Sequence, residues 1–369
     1  MKTLVTAAAI AFSTLVAMSL VVAQPAATGP ARPAAMTVVS INPEGIMDTD
    51  VELTAIVYEG REEKGQEAVQ AAEAALRAVE TKMSSHLADA EISAINKADV
   101  GREVPLSSEV VEVLKAAREY TKSTGGVFDV TIRPLLQLWK RAGMAKRLPT
   151  GAEIKSAQAL VGWDNFKLTD KGITKLRDGS SIDLGGIAKK WAIDKAAKAM
   201  NQEGVLGGLV NVGGDLRVFG ERKGYGKWQV GITNPFDKDS MIASMSVKDS
   251  AVCTSGNYER FVVIDGKRYS HIVDPRNGQP ADAVPSVTVY GKTAVEAGVW
   301  ATSLSILGPN GLKLMPRDSG LEAMLITGGQ TNYKFHYTPG FKKLLNELPA
   351  EPLPPLTRAA TASATAPRP

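Results

Sequence analysis

Cysteine is almost absent from this 369-residue chain. Cys253 stands alone, so no intramolecular disulfide can brace the fold. Its setting, Ala251-Val252-Cys253-Thr254, reads as strand and predicts a small buried core residue rather than a reactive thiol. Histidine is nearly as scarce, with only His86, His271 and His336, so proton handling near neutral pH has few candidates. The formal net charge of +4 comes without a long lysine or arginine run, which argues against nucleic acid as a partner. No internal repeat is visible, and no proline- or glycine-rich linker divides the middle of the chain.

What is present begins with an address. Met1-Lys2 precedes an apolar and small-residue stretch, Leu4 to Ala23, with Val21-Val22-Ala23 before Gln24 as a cleavage site. Residues 1–23 therefore read as a signal peptide, and the single lysine leaves an uncleaved N-terminal anchor as the alternative. No cysteine lies near the cleavage point, which excludes a lipid anchor. Residues 24–36 read as a flexible spacer, and the Pro/Ala/Thr-rich residues 349–369 as a disordered tail. An exported protein with one α+β domain over residues 37–348 is expected.

Within that domain, Val51 to Tyr58 alternates as a half-buried strand. The following helix carries Ala68, Ala72, Ala75, Leu76, Val79 and Met83 on one face. A second helix is predicted from Ser107 to Lys122, stopped by Gly125-Gly126, and a short one from Pro134 to Arg141. Beyond a helix ending near Gln202, with Gly204 as a left-handed cap, the chain turns strand-rich. Predicted strands are Leu209–Val212, Leu216–Phe219, Trp228–Ile232, Ile242–Val247, Phe261–Ile264, Val287–Tyr290 and Leu321–Thr327. Asp265-Gly266 predicts a tight hairpin turn, and a late helix is predicted over Thr293–Leu307.

The most telling run is Ser180-Ser181-Ile182-Asp183-Leu184-Gly185-Gly186-Ile187-Ala188-Lys189-Lys190-Trp191. A β-type segment ends in an aspartate, passes two glycines and enters a helix with paired lysines. Backbone can approach a ligand at the glycines, and a helix start favours negative charge. An anionic, phosphate-bearing ligand suits this arrangement, and so does a tight turn with solvated lysines. Asn211-Val212-Gly213-Gly214-Asp215 ends a strand in a glycine pair without the third glycine of a dinucleotide fingerprint. Thr254-Ser255-Gly256-Asn257-Tyr258 offers donors to a phosphate or simply turns a hairpin. His271, three residues before an aspartate (Asp274) that Pro275 follows, suits acid–base work or a local backbone bond. Thr302 lies inside the late helix, where its hydroxyl can bond back to the preceding turn.

In this order, the runs resemble the FAD:protein FMN transferase family (ApbE, or Ftp, proteins) over about Met47 to Gly329. The matching motifs are Glu91-Ile92-Ser93-Ala94-Ile95-Asn96; Gly126-Val127-Phe128-Asp129 with Pro134-Leu135; Ile182 to Lys189; Asn211 to Asp215; Thr254 to Tyr258; and Ser270 to Pro275 followed by Gly278. The resemblance implies a single α+β domain of mixed, largely antiparallel sheets packed with helices. It implies an exported, Mg²⁺-dependent enzyme that moves FMN from FAD to an acceptor threonine and releases AMP. Implied acceptors are flavin-carrying subunits of membrane or periplasmic redox complexes. By the same resemblance the Ala188 carbonyl and the Thr302 hydroxyl face the metal, and Lys189 meets phosphate. His271 and Asp274 handle and orient a proton. Met47, His86, Asp129, Asp183, Gly185, Gly186, Gly214, Asp215, Ser255 and Gly256 shape the flavin dinucleotide pocket.

Three positions depart from the family pattern. Gly298 stands where the family has a metal-binding aspartate, four residues before Thr302. His86 replaces a flavin-facing tyrosine, and Met47-Asp48-Thr49 replaces Met-Gly-Thr. These departures keep two alternatives in play: an FAD pyrophosphatase, or a catalytically weakened flavin-binding protein.

Overall fold

The computed structural model describes residues 35–349 apart from 221, 223 and 225. The expected signal peptide, nearly all of the spacer and the C-terminal tail lie outside the described residues. The fold is α+β. Its centre is an eight-stranded sheet whose strands neighbour one another in chain order. They are β1 (Met36–Ile41), β2 (Val51–Tyr58), β3 (Gly207–Val212), β4 (Asp215–Gly220), β5 (Ser250–Gly256), β6 (Ser286–Gly291), β7 (Glu322–Thr327) and β8 (Lys334–Tyr337). Every pairing is antiparallel.

Both faces of this sheet are covered, so its central strands are apolar on each side. In β2, Leu53, Ala55 and Val57 point to the larger core, while Ile56 points to a second one. Three helices cover the first face: α1 (Glu62–Met83), α2 (Ala188–Gln202) and α3 (Ala294–Leu307). α1 buries Ala68, Ala72, Leu76, Val79 and Met83, the stripe expected from its 3.6-residue period. A hairpin, Trp228–Asn234 with Asp237–Val247, covers the second face through Trp228, Val230, Ile232, Met245 and Val247. A satellite core joins the helix Arg133–Ala145 to the hairpin Phe261–Ile264/Lys267–Ser270. Asp265 and Gly266 turn that hairpin, both with positive φ (50° and 76°), as an Asp-Gly turn requires.

One expectation is corrected. The segment before the glycine pair is not a strand, for Ser181 makes only an isolated bridge with Ile132. The Asn96 side chain takes the place of a partner strand. Its amide donates to the Ile182 carbonyl at 2.8 Å, and its oxygen accepts the Ile182 N–H at 2.7 Å. Elements the sequence reading omitted include the helix Glu91–Lys97, which carries Asn96, and a three-stranded sheet of Glu103–Pro105, Phe166–Leu168 and Gly172–Lys175.

Candidate active site

A cleft of about 1660 Å³ opens between the central sheet, the N-terminal turn of α2 and the Phe261–Ser270 hairpin. Met47, His86, Asp129, Asp183, Gly185, Gly186, Ala188, Lys189, Gly214, Asp215, Ser255, Gly256, His271 and Thr302 all line it. Residues far apart in sequence are thus gathered into one cavity.

At the floor, β4 begins with Asp215, whose side chain is nearly inaccessible. One carboxylate oxygen, Oδ2, meets Lys189 Nζ at 2.9 Å and Lys190 Nζ at 3.3 Å. The other accepts the Thr254 N–H at 3.0 Å. Burial pushes this carboxyl up, but Lys190, Lys189 and the hydrogen bonds outweigh it and hold the group below the usual carboxylate range. Two ammonium groups against one carboxylate leave the floor positive. The lysines also occupy the first turn of α2, which contains no acidic residue. Cations at a helix N-terminus oppose the macrodipole, so helix stability does not account for them, whereas an anionic ligand does.

The turn leading into α2 is fixed by Asp183. Its Oδ1 accepts the Gly185 N–H at 2.8 Å and its Oδ2 the Ser85 hydroxyl at 3.2 Å. Next to it, two hairpin turns lie side by side. Met47 and Asp48 both hold left-handed φ (54° and 52°), and so do Gly213 and Gly214 (56° and 81°). A Cβ on Gly213 would come 2.3 Å from the Thr49 hydroxyl oxygen, so this pair of turns requires glycine on one side. Two adjacent non-glycine residues in the left-handed region are strained. The Glu80 carboxylate supports them by accepting the Met47 N–H at 2.8 Å.

His271 lies across the cleft. Its Nδ1 is 2.8 Å from the Arg260 carbonyl oxygen. A carbonyl only accepts, so Nδ1 carries the proton and the neutral ring keeps its lone pair on Nε2. Desolvation is the main cause that lowers its pKa, and the charges of Arg260 and Lys190 add to it. The ring is therefore neutral and basic at Nε2 near pH 7.

One expectation is corrected here. Asp274 neither lines the cleft nor touches His271. Its carboxylate accepts the Arg276 N–H and Nε–H at 2.9 Å each and Arg276 Nη2–H at 2.8 Å. It closes the turn in which the Gly278 N–H donates to the Asp274 carbonyl at 2.8 Å. Its short side chain and the following proline suit it to a local cap rather than to reaching the histidine.

Thr302 and the carboxylates near it bear on the expected Mg²⁺. Thr302 lines the cleft, but its hydroxyl donates back to the Gly298 carbonyl at 3.1 Å and lies 3.4 Å from Ser255 Oγ. A magnesium site relies on one or two carboxylates, and the carboxylates around α2 and α3 are engaged elsewhere. Asp215 holds two lysines. Asp194 accepts the Ala294 and Val295 N–H groups at 2.9 and 3.0 Å and pairs with Arg217. Glu296 bonds the capping Thr293. Among the described residues no group of three or more acidic, histidine or cysteine side chains is arranged for a metal. The donors present do not fit a resident Mg²⁺.

Lys190 and Arg260 line the cleft, and Asn96 braces the turn into α2 from outside it, yet none is a site residue on sequence reasoning. The paired lysines were visible, but the burial of the second follows only from the packing of α2 on α3.

Residues 47–325 match the ApbE family. The FAD:protein FMN transferase of Salmonella typhimurium is 32% identical over 249 residues, 65% of this chain and 71% of that protein. That of Klebsiella pneumoniae is 32% identical over 297 residues, 78% of this chain and 84% of its own. Among solved structures, the flavin transferase ApbE from Vibrio cholerae has a TM-score of 0.71 at 27% identity, covering 85% of this chain and 100% of that one. The ApbE protein from Thermotoga maritima gives 0.75 at 28% identity, covering 84% and 100%. A cleft with this positive floor, on this sheet and with these matches along its length, means that the chain belongs to the ApbE family.

Proposed function

We propose that this protein is an FAD:protein FMN transferase. The observation that carries the reading is the double ammonium on Asp215 at the floor of a large cleft, facing a histidine whose free nitrogen is basic. The floor suits the diphosphate of FAD, and the volume suits a dinucleotide. In the reaction, an acceptor threonine oxygen attacks the phosphorus on the FMN side. The new P–O bond forms as the bond to the bridging oxygen breaks. AMP leaves with that oxygen, and the hydroxyl proton passes to His271 Nε2. The lysines counter charge on the phosphoryl oxygens, the contribution on which phosphoryl transfer mainly depends. No step is assigned to Mg²⁺, because the donor set does not favour it.

The same reading puts the protein in an exported compartment, on the strength of Leu4 to Ala23, with acceptors among flavin-carrying subunits of membrane or periplasmic redox complexes. Sequencing the mature N-terminus after cell fractionation tests that placement.

The activity is tested by incubating the protein with FAD and a threonine-bearing acceptor domain. A covalently fluorescent acceptor together with stoichiometric AMP is expected. AMP without labelled acceptor would identify an FAD pyrophosphatase, and bound flavin with neither product a flavin-binding protein.

A further inference from the structure

The space beside Gly298 is filled by another residue. A Cβ built on this glycine would lie 2.4 Å from Lys190 Cγ and 2.5 Å from Lys190 Cε. The lysine stem therefore runs across the bare face of α3. Its ammonium ends in the cleft, 3.3 Å from Asp215, with the side chain only 9% exposed. A lysine this buried is costly unless paired, and its carboxylate partner is already shared with Lys189. One carboxylate thus serves two ammonium groups at the wall of the cavity. The Thr302 hydroxyl, one turn along α3, lines the same cavity.

We propose that the Lys190 ammonium is the resident cation of this site, meeting a dinucleotide's diphosphate where no divalent metal is held. The inference rests on the flavin reading above and adds to it that binding of the diphosphate is independent of metal. Gly298 is the permissive element, since any side chain there would displace the lysine stem. Lys190 makes and breaks no bond. It stabilises charge on the diphosphate and on the departing phosphate oxygen, a contribution that a fixed ammonium supplies without reorganisation.

The test measures FAD affinity by flavin fluorescence for wild type and Lys190→Met, each in EDTA and in excess Mg²⁺. Wild type should bind within about twofold equally in both, and Lys190→Met about 10- to 100-fold more weakly in EDTA, the range of one charge-assisted hydrogen bond. In Lys190→Ala/Gly298→Asp, the lysine stem is gone and a carboxylate stands on α3. Its FAD binding should now be strengthened by Mg²⁺. Wild-type binding that needs Mg²⁺ would overturn the inference while leaving the flavin reading intact. Absence of FAD binding under both conditions would overturn the flavin reading and the inference together. The wild-type comparison stands even if a variant fails to fold.

Discussion

Asp215 Oδ2 lies 2.9 Å from Lys189 Nζ, and this contact joins the first residue of β4 to the first turn of α2. The pair holds the positive floor in place, for without the carboxylate two ammonium groups would face each other in a buried setting. Asp215→Asn should cost about 3–5 kcal/mol, as breaking a buried ion pair does. Urea denaturation of the two proteins measures it. The pH dependence has a defined sign. The folded-state pKa of Asp215 is depressed, so its stabilisation is complete above the ordinary carboxylate value of about 3.9. It is lost as pH falls through the lower folded value. Asp215→Asn should remove that part of the acid transition.

His271 gives a prediction about rate. The reaction needs its neutral form, and its pKa is lowered by desolvation first and then by neighbouring positive charge. Transfer should therefore be on its plateau at pH 7. It should fall on the acid side at a pH below the ordinary histidine value of about 6.5. His271→Ala should slow transfer about 10²- to 10⁴-fold and abolish that acid limb. A variant that keeps the limb would assign it to another group.

Asp274 gives the opposite prediction. Its carboxylate closes a turn through Arg276 and makes no bond to His271. Asp274→Asn should lower stability by about 1–3 kcal/mol, the range for losing hydrogen bonds to a charged group. The pH profile of transfer should stay where it was. An acid limb displaced by a pH unit or more would show that the carboxylate does act on the histidine.

These contrasts show what was legible in the sequence. Strands such as Val51–Tyr58 and helices such as Glu62–Met83 were visible because each buries side chains with its own period. The Asp-Gly turn was visible because its backbone conformation limits the residues that can occupy it. The Ser180–Asp183 segment misled because its apolar and hydroxyl residues suit a strand, while the backbone of Ile182 pairs with a side chain from 86 positions away. His271 with Asp274 misled for a related reason. Proximity in sequence suggested a pair, yet the proline after Asp274 turns the chain into a closed loop of its own. Lys190 could not be ranked above any other helix lysine until α3 was seen to present a bare glycine to it.

Asn96 offers the most direct test of how the fold positions the site. It lies in the last turn of the short helix Glu91–Lys97, whose C-terminal end is capped by the buried Lys175 ammonium, bonded to Asn96 O at 3.0 Å and Ala98 O at 2.8 Å. From that fixed base the side chain binds both polar backbone groups of Ile182, immediately before the Asp183–Gly186 turn. Asn96→Ala removes both partners at once and leaves a buried N–H and C=O unpaired. A cost of about 2–4 kcal/mol follows. The Asp183 turn should loosen, and FAD binding should weaken even though Asn96 does not line the cleft. Amide hydrogen exchange checks the mechanism: the Ile182 N–H should lose protection in the variant while the amides of β3 and β4 keep theirs. Uniform loss of protection would indicate general destabilisation instead, and unchanged FAD affinity would show that the turn holds its shape without the asparagine.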